Sequence, residues 1–207
     1  FISHFHWDHI IGYLGFAPFF HDWFSCNIYG KEDKLSIDEI FEHIHNYTFW
    51  PVEMPMYKAK FNLNTFPAEG LQISDSIKIK SILHGHPNGA NSYRLEVGNT
   101  VIVYCTDIEH PEDHLNPNAI EIARDADILI NDAQFTDEEL PAHKGWGHSS
   151  WQQSTAIAKK ANVKQLVLFH HSPNNNDAAI NKIEKDAQEV FKNTVASREG
   201  LEIKLPA

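Results

Sequence analysis

Residues 1–9 read FISHFHWDH and place four potential metal ligands within six positions. The ligands follow the pattern His-x-His-x-Asp-His, and they are His4, His6, Asp8 and His9. Side chains two positions apart on an extended backbone point to the same side, so His4 and His6 can hold one ion together. A turn at Trp7 would then bring Asp8 and His9 toward a second ion. A histidine-rich surface turn is the alternative interpretation of this stretch taken alone.

The donor types in this motif limit the choice of metal. Imidazole with carboxylate suits zinc, iron or manganese better than calcium, and the lack of cysteine argues against a closed structural zinc site. The two cysteines of the chain, Cys26 and Cys105, lie far from the motif in apolar, strand-like contexts and do not suggest a disulfide framework.

Composition limits the classes of protein to consider. The 207 residues are 42% hydrophobic, which predicts one domain over residues 1–207 with a sizeable core. A net charge of -11 predicts no extended nucleic-acid surface, although bound metal ions would reverse the local charge for a small phosphate substrate. Apolar runs are too short to span a membrane. We therefore expect a cytoplasmic protein, with a homodimer as the default assembly.

The chain lacks an initial Met and carries its ligand motif at residue 4. We therefore expect further sequence upstream of Phe1, and the presence of a signal peptide stays open.

Hydrophobic periodicity predicts a short helix and an aromatic loop after the motif, and then paired strands. Ser36 is the predicted N-cap of a helix over residues 37–46. The predicted strands in this part are residues 26–30, 57–63, 71–73 and 77–83, followed by a hairpin of residues 91–97 and 100–105 around Gly98-Asn99.

The second half of the chain alternates helix and strand, which is typical of an α/β domain with helices covering sheets. Ser149 or Ser150 caps one of these helices. The predicted helices are residues 118–125, about 150–161 and 177–191, and the predicted strands are 127–131, 165–169 and 201–205.

Potential ligands recur where predicted strands end, and loops at one edge of a sheet are where a rigid scaffold places chemistry. Besides the opening motif, they are His86, Asp107, His148 and His170. In order and spacing, this set resembles the metallo-β-lactamase superfamily of binuclear metallohydrolases. The resemblance implies an α/β (α+β) fold, an αββα sandwich with its metal site along one sheet edge. Members normally carry strands ahead of the first motif, and those strands are absent from this chain.

The resemblance also implies a ligand set for two divalent metal ions, with zinc as the leading expectation and manganese or iron as alternatives. His4, His6 and His86 would hold the first ion, Asp8, His9 and His170 the second, with Asp107 and a hydroxide bridging the two. The choice of His86 over His84 follows the His-Pro-x-Gly pattern, and that of His170 over His171 follows Leu-Phe-His-x-x-Pro.

Residues 145–150, GWGHSS, resemble the ribonuclease Z and phosphodiesterase branch of the superfamily. The resemblance implies that His148 donates a proton or stabilises charge during phosphodiester cleavage, and that Asp8 helps to orient or deprotonate the hydroxide. Glu109 and Asp132 are both candidates for the carboxylate that orients His148. A histidine at a helix N-cap is the alternative interpretation of His148.

A small phosphodiester such as a cyclic nucleotide is the expected substrate, because the chain lacks the Gly/Pro/basic arm with which ribonuclease Z grips RNA. Arg94 could contact phosphate or serve as a surface ion-pair partner.

Two other functional classes compete with the phosphodiesterase hypothesis. A diiron sensor typically replaces a motif histidine by a carboxylate, whereas His6 is retained; a lactone or thioester hydrolase would not depend on His148.

Overall fold

The computed structural model describes residues 1–31 and 34–205. The chain divides into two compact units, Phe1–Ala68 and Glu69–Ala207. The single domain expected over residues 1–207 stays a prediction. Within the described ranges, the helices are all too short or too polar to cross a membrane.

The first unit is built on a parallel pair of strands joined by a helix. Its elements are α1 (Trp7–Leu14), β1 (Ser25–Gly30), α2 (Ile37–Ile44) and β2 (Lys60–Thr65), with 3₁₀ turns at Ala17–Phe20 and Met54–Met56. Strand β1 pairs with β2 from Ser25↔Lys60 to Gly30↔Thr65. A parallel pair needs a crossover connection, and α2 lies in that connection.

Helix α2 begins where the sequence predicted. The Ser36 side chain accepts the backbone N–H of Glu39, whose carboxylate accepts the Ser36 N–H in return. This capping box satisfies two donors that the first turn of a helix leaves unpaired. Ile37, Phe41 and Ile44 form the buried face of α2.

The second unit is a seven-stranded sheet in the order β3-β4-β5-β6-β7-β8-β9. Its strands are β3 (Leu71–Ser74), β4 (Ile77–His84), β5 (Ala90–Val97), β6 (Thr100–Cys105), β7 (Ile128–Asp132), β8 (Gln165–Phe169) and β9 (Thr194–Ala196). Pairing is antiparallel from β3 to β6 and parallel from β6 to β9. The crossovers contain α3 (Pro117–Ala123), α4 (Trp151–Lys160) and α5 (Asp177–Val190), with a 3₁₀ turn at Leu140–His143.

Helices α3, α4 and α5 pack on this sheet and enclose the main core. Val103, Leu129, Leu166 and Leu168 of the central strands are fully buried, as is Ile157 of α4. Each such side chain contributes about 1.5–3 kcal/mol of transfer free energy. The core therefore fixes the strands whose ends carry the polar residues described below.

The predicted final strand at residues 201–205 is wrong, since that segment is irregular. The last strand is instead β9, whose three residues pair with β8 from Leu166↔Thr194 to Leu168↔Ala196. So short a strand offers too few positions for an alternating pattern, whereas residues 201–205 alternate without finding a partner strand. The strand predicted at residues 57–63 begins three residues later, at Lys60.

Candidate metal centre

The opening motif lies where an extended segment turns into α1. His6 is the N-cap of α1 with an extended backbone (φ −69°, ψ 151°), so the chain turns at Trp7 as predicted. The Ile2 N–H donates to the Tyr29 carbonyl at 2.8 Å and ties the motif to β1.

Donor atoms within this motif are paired at the spacing of ligands that share one ion. His4 Nε2 lies 3.0 Å from His6 Nδ1, and Asp8 Oδ2 lies 3.3 Å from His9 Nε2. Two ligands of a tetrahedral zinc ion, each at about 2.1 Å, are roughly 3.4 Å apart. The Ser3 hydroxyl contacts the other nitrogen of His4 at 3.1 Å, an outer contact that orients the ring.

In the second unit, four strands deliver polar residues to one edge of the sheet. Strands β4 and β6 both run antiparallel to β5, and β7 and β8 run parallel to β6. All four carboxyl ends therefore meet at the same edge. The residues at or just beyond these ends are His86, Asp107, Asp132 and His170.

Asp107 and His170 have an unusual backbone at this edge. Both adopt a left-handed conformation with φ of 59°. For a residue other than glycine, such a conformation costs about 1–3 kcal/mol and tends to occur at functional sites. It brings His170 Nε2 to 3.3 Å from Asp107 Oδ1, again the spacing of two ligands on one ion.

Asp132 organises a four-residue cluster at this edge. One ligand atom from each of Asp107, Asp132, His148 and His170 lies within 4.8 Å of the others. Asp132 Oδ2 accepts the Asp107 N–H and the His148 Nδ1–H, both at 2.9 Å. Its Oδ1 accepts the N–H groups of Gln134 at 3.1 Å and Ser149 at 3.0 Å. Asp132 is therefore the carboxylate that orients His148, which the sequence alone left open.

His148 is held in one tautomer and one orientation. Because Nδ1–H donates to Asp132, the ring nitrogen that is available for proton transfer is Nε2. The ring stacks on that of His170 at 4.9 Å with an interplanar angle of 17°. The helix N-cap is Ser150, which accepts the Gln153 N–H at 3.0 Å, so His148 does not serve as the cap.

Glu109 supports the loop ahead of His148 instead of touching its ring. Its two carboxylate oxygens accept the N–H groups of Gly145 at 2.8 Å and Gly147 at 2.7 Å. The Gly147 carbonyl in turn accepts the His86 Nδ1–H at 2.9 Å, which assigns the ligand role at His86 to Nε2. One short loop thus positions both His86 and His148.

The other histidine and arginine candidates are not members of this four-residue cluster. The Ser197 hydroxyl lies 3.4 Å from His171 Nε2, whereas His170 joins the cluster. Burial lowers the pKa of His84, at the end of β4, to about 4. Arg94 donates to the carbonyls of Ile122 at 3.0 Å and Arg124 at 2.7 Å, so it caps the end of α3 and is not part of the cluster.

Sequence reasoning missed Gln134. Its side-chain amide contacts His170 Nδ1 at 3.0 Å. The atom at this distance is the amide nitrogen, whose N–H donates to Nδ1, so Gln134 orients the His170 ring through the nitrogen that does not face Asp107. The sequence signal that could have identified Gln134 is its position, two residues after Asp132 at the end of β7.

Replacing Gly147 by Ala is expected to displace His86. A Cβ at Gly147 would overlap Pro87 Cδ and the His86 ring, with His86 Cε1 at 2.7 Å, and the residue has a φ of +88°. We expect metal affinity to fall by about 10–100-fold, the usual effect of disturbing a group that orients a ligand. Gly145→Ala is the matched control, because Gly145 has a φ of +83° but a Cβ added there would meet no atom within 4 Å. Equal zinc affinity of the two variants, measured by competition with a chelator, would contradict the expected clash.

Comparison with known proteins identifies the family. Residues 1–171 match the family described as the Beta-lactamase superfamily domain. The chain belongs to this family. Proteins of this fold typically bind divalent metal ions, usually zinc, and the imidazole and carboxylate donors described above fit such ions.

Curated relatives specify the branch. Ribonuclease Z of Thermoplasma acidophilum is 28% identical over 98% of this chain and 77% of its own length. Ribonuclease Z of Crocosphaera subtropica is 26% identical over 100% of this chain and 80% of its own length. The protein is thus a metallohydrolase of the ribonuclease Z branch, as its GWGHSS segment predicted.

Solved structures confirm the predicted fold class. The metallo-β-lactamase fold protein YhfI of Bacillus subtilis has a TM-score of 0.73 at 22% identity, over 96% of this chain and 73% of that one. The short form of human tRNase Z has a TM-score of 0.68 at 17% identity, over 100% of this chain and 78% of that one.

Proposed function

We propose that this protein is a metal-dependent phosphodiesterase that cleaves small phosphodiesters such as cyclic nucleotides. One observation carries this proposal: the Asp132–His148 pair lies directly beside Asp107 and His170. A histidine oriented by a buried carboxylate is suited to proton transfer, and cleavage of an alkyl phosphodiester needs a proton at the departing oxygen.

Two divalent ions, zinc first among them, complete the proposed site. The first would be held by His4, His6 and His86, the second by Asp8, His9 and His170, with Asp107 shared between them. When bound, such ions lower the pKa of water and stabilise charge that develops on the phosphoryl oxygens. The donor spacings of 3.0–3.3 Å within each unit support this assignment.

His148 is the proposed proton donor. Its Nδ1–H keeps the hydrogen bond to Asp132, and the Asp132 carboxylate stabilises the imidazolium form of the ring. The Nε2 proton passes to the leaving oxygen as the P–O bond breaks, and the ring returns to its neutral form. Asp8 is proposed to help orient or deprotonate the attacking water.

Charge and length favour a small substrate over RNA. A net charge of -11 gives little attraction for a polyanion. The alignments with the two ribonuclease Z relatives run over 244 and 262 residues, more than the 207 residues of this chain. Those relatives therefore carry segments that have no counterpart here.

Replacing Glu109 by Gln tests the support of the His148 loop. The amide can accept only one of the two N–H groups of Gly145 and Gly147, so the loop should loosen. We expect kcat to fall by about 10-fold or more, with about 1 kcal/mol lost from the free energy of unfolding. Glu184→Gln is the control, because Glu184 lies on α5 outside the loop and pairs with the Arg198 side chain. An unchanged kcat for Glu109→Gln would contradict this role.

A substrate screen tests the function. Protein loaded with zinc or manganese is assayed on bis(p-nitrophenyl) phosphate, cyclic nucleotides, a precursor transfer RNA, a lactone and a thioester. The proposal expects turnover of the small phosphodiesters above that of the other classes. Lactone or thioester turnover alone would favour the carbon-centred hydrolase, and iron with an oxygen-dependent absorption band but no turnover would favour the sensor. Dominant cleavage of the precursor would overturn the assignment of a small substrate.

A further inference from the structure

A cavity of about 320 Å³ opens beside His148 in the second unit. Its walls come from the segment after Asp107 and from the 3₁₀ turn Leu140–His143 with the residues that follow it. The volume lies at the lower end of the range for small-molecule sites, about 300–1,000 Å³. None of the predicted metal ligands lines this cavity.

The charged groups around the cavity are already engaged with other protein groups. Lys144 is paired with Glu112. Glu109 accepts two backbone N–H groups, and Asp137 accepts the Ser150 hydroxyl. The cavity therefore offers neither an isolated cation for a phosphate nor an isolated anion for an ammonium group, which favours an uncharged occupant.

Flat and apolar surfaces make up the remainder of the wall. Pro111, Leu140 and Pro141 supply apolar contacts. The ring of His143 is fixed by its Nδ1–H, which donates to the Glu139 carbonyl at 2.8 Å, and by stacking on Phe135 at 4.1 Å and 20°. Such rigid, flat walls suit a planar ring that gains contact area with little loss of entropy.

We propose that this cavity is the leaving-group subsite and that it takes the uncharged base of a nucleoside. This inference rests on the proposed function, because His148 protonates the departing oxygen and also forms one wall of the cavity. In this proposal, the group attached to that oxygen lies on the cavity side of His148. A phosphodiester whose leaving alcohol is a nucleoside places its base between the prolines and the His143 ring.

Leu140→Trp tests the subsite by filling it. The substitution lies in a 3₁₀ turn at a partly exposed position, so it should fold. Adenosine binding to the zinc-loaded protein is measured by calorimetry, and we expect Leu140→Trp to raise Kd by about tenfold or more. Ile73→Trp, at an exposed site on β3 outside the cavity, is the control and should leave Kd unchanged.

Hydrolysis rates provide a second test of the subsite. We compare a 3′,5′-cyclic nucleotide with the same cyclic sugar phosphate lacking its base. The wild type should prefer the nucleotide in kcat/KM, and Leu140→Trp should remove the preference without slowing the abasic compound. Adenosine that fails to bind, binding insensitive to Leu140→Trp, or tighter binding of choline would overturn the subsite. Adenosine binding sensitive to Leu140→Trp, with neither phosphate hydrolysed, would retain the subsite and reject the phosphodiesterase.

Discussion

His148→Ala is expected to lower kcat for cyclic-nucleotide hydrolysis by about 10²–10⁴-fold, the usual contribution of a general acid. The physical reason is that His148 combines an Nδ1–H bound to a carboxylate with a ring stacked against His170. The loss should be smaller for a p-nitrophenyl ester, because its leaving group departs without needing a proton. Steady-state kinetics at saturating zinc measure both values.

His114→Ala is the control for His148→Ala. His114 is an exposed histidine that also contacts a carboxylate, that of Asp113, at 2.6 Å. Its removal should leave kcat unchanged. Equal kcat for His148→Ala and the wild type on both substrates would exclude His148 as the proton donor.

Asp132→Asn is expected to damage both catalysis and stability. In either orientation its amide nitrogen would face two donors that a carboxylate oxygen now accepts: the Asp107 N–H and the His148 Nδ1–H, or the N–H groups of Gln134 and Ser149. In the first orientation His148 must switch tautomer, and in both orientations its imidazolium loses the neighbouring negative charge. We expect kcat to fall by about 10²–10⁴-fold, in line with such changes in other carboxylate–histidine pairs. The buried backbone N–H left without an acceptor should cost about 1–3 kcal/mol of unfolding free energy.

Asp127→Asn is the control that separates the effect on catalysis from the effect on stability. Asp127 lies just before β7, at the end opposite Asp132, and accepts the Val101 N–H at 2.7 Å and the Lys164 ammonium at 2.6 Å. Its replacement should lower stability, measured by urea unfolding, but leave kcat unchanged. A comparable drop in kcat for both variants would mean that the loss at Asp132 reflects stability alone.

Features set by local sequence were predictable. The Ser36 cap of α2 follows from side chains three residues apart, and the turn at Trp7 follows from the motif itself. The hairpin around Gly98 forms as expected, with Gly98 at a φ of 58°. Each of these depends on contacts within a few residues, which the sequence displays directly.

Features set by tertiary contacts were not predictable from residue type. Glu109 and Asp132 are both acidic and both lie near the end of a strand, and the packing of β7 against the start of α4 decides which one meets His148. The clash that excludes a side chain at Gly147 arises from His86, 61 residues away in sequence. The two carboxylates consequently have different roles: Asp132 orients the His148 ring, and Glu109 holds the loop that precedes His148.

Metal-dependent turnover is the most direct test of the proposed function. Protein stripped with a chelator is titrated with zinc, and bound metal per chain and hydrolysis of bis(p-nitrophenyl) phosphate are measured on the same samples. We expect no turnover without metal and a rise to a plateau at two ions per chain. Full turnover by the metal-free protein, or none with two ions bound, would contradict a two-metal phosphodiesterase.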